Sequence, residues 1–142
     1  MNKLLKILMI MPLLSLAAGG AWAAGEPLKV VYHVADEDKV GFALANIRNH
    51  IQGVGGPENV EIVLVTHGPA VKGFTDIDAL DAVRNGVASL AEQGVKFQAC
   101  ANALEVFGLE ADELLPAFTI AEEGGVTRIA ALQSQGYVYI RP

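Results

Sequence analysis

Short apolar runs alternate along the chain with segments of helical periodicity, beginning at Leu28. Runs rich in apolar and β-branched residues predict strands that are buried on both faces of a sheet. Five such runs predict five strands, over residues 28–34, 60–66, 95–99, 118–121 and 137–140. The last of them belongs to a short tail, 137–142, which we expect at a sheet edge or a subunit contact.

Apolar residues at helical spacing separate these runs. Val40, Leu44, Ile47 and Ile51 predict a first helix, which Asp36 or Asp38 is expected to cap and the glycines of 53–56 to stop. A second helix is predicted over 80–90, where the Asn85-Gly86 pair favours a kink or a split. A loop is expected over 67–76, and shorter helical segments at 102–107, 112–115 and 126–132.

Strands that alternate with helices predict a βαβ series. The expected fold class is therefore α/β: a single three-layer domain with a mainly parallel five-stranded sheet flanked by helices. In such folds the functional groups gather at the carboxyl ends of the strands.

The first 23 residues have the composition of an export signal. Lys3 and Lys6 precede an apolar run over 7–18, and Ala21-Trp22-Ala23 provides the small-x-small cleavage pattern. We expect cleavage after Ala23, which leaves a mature domain of residues 24–142 in the periplasm or outside the cell, with no membrane attachment. A retained membrane anchor is the alternative.

Charge and cysteine content narrow the function classes. The chain has 10 basic and 16 acidic residues and a net charge of −6, which argues against binding the phosphate backbone of nucleic acids. Its single cysteine excludes an internal disulfide and a cysteine-rich zinc module. No motif for a cofactor or a resident metal is recognised, so none is expected.

Three reactive side chains fall at predicted strand ends. His33 closes the first strand, His67 the second and Cys100 the third, so the parallel sheet brings them to one edge. Cys100 also precedes a helix, whose N–H groups and dipole stabilise a thiolate. Either histidine is a candidate general base. His50, in the middle of a predicted helix, is assigned no role.

Each of these residues has an alternative interpretation. Cys100 is equally compatible with a small buried apolar residue, and either histidine with a hydrogen bond to a loop carbonyl. The Gly53-x-Gly55-Gly56 pattern ends a helix, so it lacks the context of a phosphate-binding loop. The acids of 36–38 suit a helix start, and Glu122-Glu123 before Gly124-Gly125 indicates a charged turn.

The segments around Cys100 are similar to a known family. Residues 94–104 (GVKFQACANAL) and 112–116 (DELLP), together with VVYHV, VLVTHGPAV and the closing GYVYIRP, resemble the DsrE/DsrF-like sulfur-relay family from Leu28 to Pro142. The resemblance implies a flavodoxin-like, DsrE-like α/β fold that commonly assembles as trimers or hexamers. It also implies a cysteine that carries sulfur as a persulfide in some members.

Individual residues match that pattern. Cys100 corresponds to the cysteine after the third strand, His67 and Gly68 to the turn after the second, and Asn102 to the position that follows the cysteine. The export signal is a departure, because the best-understood relay members act in the cytoplasm with partner subunits.

The leading hypothesis is an exported sulfur carrier or sulfurtransferase-like protein that holds sulfane sulfur on Cys100. His67, or with less support His33, accepts the thiol proton. Expected partners are further copies of the chain and a small sulfur donor or a sulfur-relay protein. The alternatives are a structural or assembly module with an inert thiol, and a protein that binds a metal or small ligand through His33, His67 and Cys100.

Overall fold

Valine and isoleucine dominate the strand-forming segments, because branched side chains pack well on a pleated surface. The computed structural model describes residues 25–142, so the predicted signal peptide at 1–23 lies outside the described residues. Its strands are β1 (Leu28–Val34), β2 (Val60–Thr66), β3 (Lys96–Cys100), β4 (Phe118–Ala121) and β5 (Val138–Ile140). The predicted β3 and β5 each began one residue early, and β3 includes Cys100.

All five strands form one parallel sheet. Their order is β4-β3-β2-β1-β5, and each of the four neighbouring pairs is parallel. The predicted α/β class is therefore confirmed, and so is the expectation that β5 lies at a sheet edge. Because every strand runs in the same direction, the ends of β1, β2 and β3 meet at one edge of the sheet.

Helices cover both faces of the sheet. They are α1 (Val40–Gly53), α2 (Asp81–Glu92), α3 (Ala101–Phe107) and α4 (Gly125–Ser134). The first three contribute to a large apolar core on one face. On the other face, Ile129 and Leu132 of α4 pack on Val31, Val63 and Val65. The result is the predicted three-layer arrangement, with α4 packed on the face opposite the large core.

The ends of α1 differ in part from the prediction. Asp36 precedes a 3-10 helix, Glu37–Lys39, but its side chain makes no capping hydrogen bond, and α1 itself begins at Val40. The glycine stop is confirmed, since α1 ends at Gly53 and Gly55 follows with a φ of +89°. A positive φ strains any residue with a side chain, so glycine suits this position.

The predicted split of α2 is wrong, because the helix is continuous through Asn85-Gly86. A Cβ atom on Gly86 would lie only 3.2 Å from Cδ1 of Leu44, so the missing side chain allows α1 and α2 to approach closely. The gain in packing offsets the low helix propensity of glycine.

Two of the predicted segments are 3-10 helices. The expected loop after His67 is a 3-10 helix over Gly68–Phe74, and the helical turn predicted at 112–115 is a 3-10 helix over Ala111–Glu113. Within residues 25–142, none of the helices has the length and apolar character that a membrane crossing requires.

Two buried threonines differ in how their hydroxyls are paired. Thr75 donates to the carbonyl of Lys72 over 3.0 Å and accepts from the N–H of Asp78 over 3.1 Å. Thr66, at the end of β2, is fully buried, and its hydroxyl has no hydrogen-bond partner among residues 25–142. A buried polar group without a partner costs free energy, whereas a paired one stabilises the fold.

We predict opposite effects for valine at these two positions. Thr66→Val removes an unpaired hydroxyl at constant shape and should raise the free energy of unfolding by about 1 kcal/mol. Thr75→Val breaks two hydrogen bonds and should lower it by about 1–3 kcal/mol. Urea denaturation followed by circular dichroism measures both. Destabilisation by both variants would contradict the prediction.

Candidate functional site

A pocket of about 330 Å³ opens at the edge of the sheet where β2 and β3 end. It contains four of the five residues that the sequence indicated: His67, Gly68, Cys100 and Asn102. The neighbouring parallel strands β2 and β3 thus place His67 and Cys100, which are 33 positions apart in the sequence, on one concave surface. The fifth, His33, does not line the pocket and reaches it only through His67.

Cys100 is held at the junction of β3 and α3. It is the last residue of the strand and the N-cap of the helix, so the unpaired N–H groups of the first turn of α3 follow it directly, and its side chain makes no capping hydrogen bond. Its side chain is buried, with 6% of its surface exposed, and it lines the pocket. The pocket is therefore the route by which a reagent reaches the sulfur.

Gly125 brings α4 against both Cys100 and His67. A Cβ atom on this glycine would lie 3.1 Å from the Cβ atoms of both residues and 3.6 Å from the sulfur. A Cβ atom at such distances would be tighter than most real contacts and would push its neighbours away, so glycine suits this approach. The N-terminus of α4 consequently forms one wall of the pocket.

Gly124 has a similar function beside Asn102. It caps α4 with a φ of +88°, and a Cβ there would lie 2.9 Å from the Asn102 amide nitrogen. The sequence pattern at 122–125 predicted only a charged turn, and neither glycine was expected in the site. The rule that functional groups follow parallel strands would have found them, because β4 ends at Ala121, just before this turn.

A chain of hydrogen bonds joins His67 to the edge of the sheet. Nε2 of His33 lies 2.6 Å from Nε2 of His67, and Nδ1 of His33 lies 2.6 Å from the hydroxyl of Tyr139 on β5. The two rings are also stacked, with centroids 4.5 Å apart. Tyr139 was not singled out from the sequence, since its place beside His33 depends on the pairing of β5 with β1.

The geometry allows only one proton between the two imidazoles. A hydrogen bond between two Nε2 atoms needs one N–H donor and one unprotonated acceptor. If Nδ1 of His33 donates to the Tyr139 hydroxyl, then Nε2 of His33 accepts, Nε2 of His67 donates, and Nδ1 of His67 is unprotonated. If the hydroxyl donates instead, Nδ1 of His67 carries the proton, so the direction of the bond to Tyr139 sets the tautomers of both rings.

Both histidines are held in the neutral form. Burial lowers the pKa of His33 to about 4, and nearby His67 and Arg141 act in the same direction, while Asp36 opposes them. Burial also lowers the pKa of His67, assisted by Arg141 and opposed by Asp36. Arg141 and Asp36 form an ion pair at 3.1 Å, which offsets their opposite effects on the rings.

A metal site at His33, His67 and Cys100 is not supported by the geometry. Among residues 25–142, no group of three or more histidine, cysteine or acidic side chains is arranged to hold a metal ion. The reason is that the Nε2 atoms of the two histidines face each other, so they do not share an open position. His50 lies away from the pocket, where its Nδ1 and the Tyr32 hydroxyl are 2.9 Å apart.

Comparison with known structures shows the same fold in archaeal and bacterial proteins. MTH1491 from Methanobacterium thermoautotrophicum, described as a protein of unknown function, is 31% identical, with a TM-score of 0.71 over 81% of this chain and 99% of that one. The ychN protein from E. coli is 14% identical, with a TM-score of 0.59 over 81% of this chain and 99% of its own. BT1422 from Bacteroides thetaiotaomicron, a conserved protein of unknown function, is 18% identical, with a TM-score of 0.57 over 86% and 99% of the two chains.

No curated protein matches the chain significantly. A family model, in contrast, matches residues 29–142, which include all of the five strands except Leu28 and every pocket residue described above. The order of the strands and the cysteine at the end of β3 agree with this match. The chain therefore belongs to the DsrE/DsrF-like family.

Proposed function

We propose that this protein is a sulfur carrier that holds sulfane sulfur as a persulfide on Cys100. Family membership indicates a sulfur-relay-like role at a coarser level. The observation that supports the finer proposal is the position of the chain's single cysteine, which lines the pocket together with His67. A thiol that no donor could reach would be unable to accept sulfur.

The proposed reaction transfers a sulfane sulfur atom from a donor to the Cys100 thiol. The Cys100 thiolate attacks the outer, sulfane sulfur of the donor, a new S–S bond forms at Cys100, and the bond between that sulfur and the rest of the donor breaks. The donor departs as a thiolate or, for thiosulfate, as sulfite. The N–H groups at the start of α3 stabilise the negative charge on the attacking sulfur.

His67 is the proposed base for this reaction. Its Nε2 is hydrogen-bonded to His33, so Nδ1 is the nitrogen left to accept a proton, in the arrangement in which Nε2 of His67 donates and Nδ1 is unprotonated. Its lowered pKa keeps the ring unprotonated near neutral pH, as proton acceptance requires. His33 and Tyr139 orient the ring, and Gly68 and Asn102 shape the pocket around the sulfur.

We also propose that the protein acts after export, in the periplasm or outside the cell, as a homo-oligomer. The export pattern at 1–23 supports the first part. Large apolar side chains left exposed on the chain support the second, among them Phe42 at 57% and Ile77 at 83% exposure.

We predict that a sulfane donor loads Cys100 with a persulfide. Treatment with a sulfane donor should add about 32 Da per sulfur to the intact mass of the protein. The gain should be reversed by a reductant and absent from Cys100→Ala and Cys100→Ser. Intact-mass spectrometry before and after treatment provides the measurement.

A different result would favour the structural alternative. If no donor adds mass, and the folded protein also resists alkylation, then the low exposure of Cys100 reflects an inert core residue. The protein would then be an assembly module of this fold.

His67→Gln should slow the reaction of Cys100 without changing the fold. Glutamine keeps hydrogen-bonding groups but accepts no proton, so the rate of alkylation near neutral pH should fall about tenfold or more. The difference should shrink as rising pH ionises the thiol without help. His50→Gln is the matched control, because this histidine bonds Tyr32 away from the pocket. Equal rates in the two variants would exclude His67 as the base.

Acid should destabilise the protein through the histidine pair. The folded-state pKa of His33, about 4, lies below the ordinary 6.5, so in that interval the unfolded chain binds a proton that the folded chain does not. The free energy of unfolding should therefore fall as pH decreases from 6.5 to about 4, by about 2 kcal/mol at a pH near 5.

Urea denaturation near pH 7 and near pH 5 measures this loss. His33→Gln should reduce it, whereas His50→Gln should leave it unchanged, since only the former removes the buried ring. An unaltered acid loss in His33→Gln would show that other groups are responsible.

A further inference from the structure

The pocket beside Cys100 has almost no positive charge. Its lining includes a single residue that is charged at neutral pH, the acidic Glu123. His67 contributes a neutral ring, because burial lowers its pKa. A doubly negative donor such as thiosulfate would therefore meet no countercharge from the side chains that line the pocket.

The cationic side chains around the pocket are paired with acidic or amide groups. Arg128 donates from Nε to the Gln98 side chain over 2.8 Å and lies 4.0 Å from Glu123. Lys72, which is not part of the pocket lining, pairs with Glu37 at 3.0 Å, and its Nζ lies 5.5 Å from the centroid of the Phe107 ring. Arg141 pairs with Asp36, close to the histidines and outside the pocket lining.

The lining of the pocket is mostly apolar. Val106 of α3 is 77% exposed and Val126 of α4 is 70% exposed, and both line the pocket. The other exposed lining residues are polar: Asn102, Glu123 and Thr127. The pocket thus has a polar end, at the sulfur and His67, and an exposed part in which two valines offer contacts to an apolar group.

On the basis of the proposed function, we infer that the donor for Cys100 is an organic hydropersulfide with an uncharged, apolar tail. The terminal sulfur of such a donor, R–S–SH, fits the polar end, while the R group contacts Val106 and Val126. A volume of about 330 Å³ is at the small end of the range for ligand pockets, which suits a short tail.

The reaction is balanced without an added oxidant or reductant. The Cys100 thiol gives its proton to His67, and its sulfur forms a bond to the terminal sulfur of R–S–SH. The S–S bond of the donor breaks, and the electron pair leaves on R–S⁻. The proton on His67 then returns to this thiolate, so the products are the Cys100 persulfide and R–SH.

Competing donors test this selectivity. The probes are butyl hydropersulfide, glutathione hydropersulfide and thiosulfate, and the measure is the loading rate of Cys100 by intact mass. Each rate is divided by the rate of the same donor with free N-acetylcysteine, which removes intrinsic reactivity. We expect the corrected rate for the butyl donor to exceed that for thiosulfate by roughly tenfold or more.

Two neighbouring glutamates provide a matched pair of variants. Glu123→Lys reverses the only charge of the pocket lining and should raise the corrected thiosulfate rate by roughly tenfold. Glu122→Lys makes the same change in net charge at an exposed residue outside the lining and should have little effect. Val106→Asn and Val126→Asn, at exposed positions, should lower the ratio of the corrected butyl rate to the corrected thiosulfate rate, because each variant removes an apolar contact for the tail.

The outcomes separate this inference from the proposed function. If all donors load Cys100 in the ratios seen with the free thiol, or if thiosulfate is preferred, the selectivity is wrong and the carrier role stands. If no donor loads Cys100, the carrier role fails and the inference fails with it.

Discussion

The close approach of α4 to the ends of β2 and β3 is the constraint on which the site depends. Gly125 has no side chain, so the first turn of α4 lies against Cys100 and His67 at a distance where a Cβ atom would force its neighbours to shift by a few tenths of an ångström. Without this contact the pocket would lose one wall, and the two side chains would no longer share an enclosed space. The large apolar core also holds the site in place, because Cys100 and Ala103 belong to both.

The second constraint is electrostatic and links the site to the far edge of the sheet. His33 and His67 meet through their Nε2 atoms, so they share a single proton, and burial favours their neutral forms. Tyr139 closes this chain from β5, a strand of only three residues. The C-terminal strand therefore does more than cover an edge of the sheet: its pairing with β1 determines which nitrogen of each ring carries the proton.

The sequence predicted the fold well because buried parallel strands have continuous apolar runs and surface helices have apolar stripes. It also placed His33, His67 and Cys100 at strand ends, a consequence of strand direction alone. The misses share a physical origin in contacts between distant segments. The continuity of α2 depends on Leu44 packing on Gly86, and the importance of Gly124 and Gly125 depends on side chains that precede them by 22 residues or more. The pattern along the chain does not show which distant side chains meet, although the end of β4 at Ala121 marks 122–125 as part of the same sheet edge.

A site for sulfur need not follow the rules of a site for oxyanions. Thiolates and hydropersulfides are large and polarisable, and their charge is less strongly hydrated than that of a carboxylate or phosphate, so a pocket can stabilise them with a few N–H groups at a helix start. Apolar walls then exclude water, which would otherwise compete for those N–H groups. This combination accounts for a pocket in which a thiol, a neutral imidazole and two helix ends face exposed valines, and in which the one lining charge, Glu123, has the sign that repels an anionic competitor.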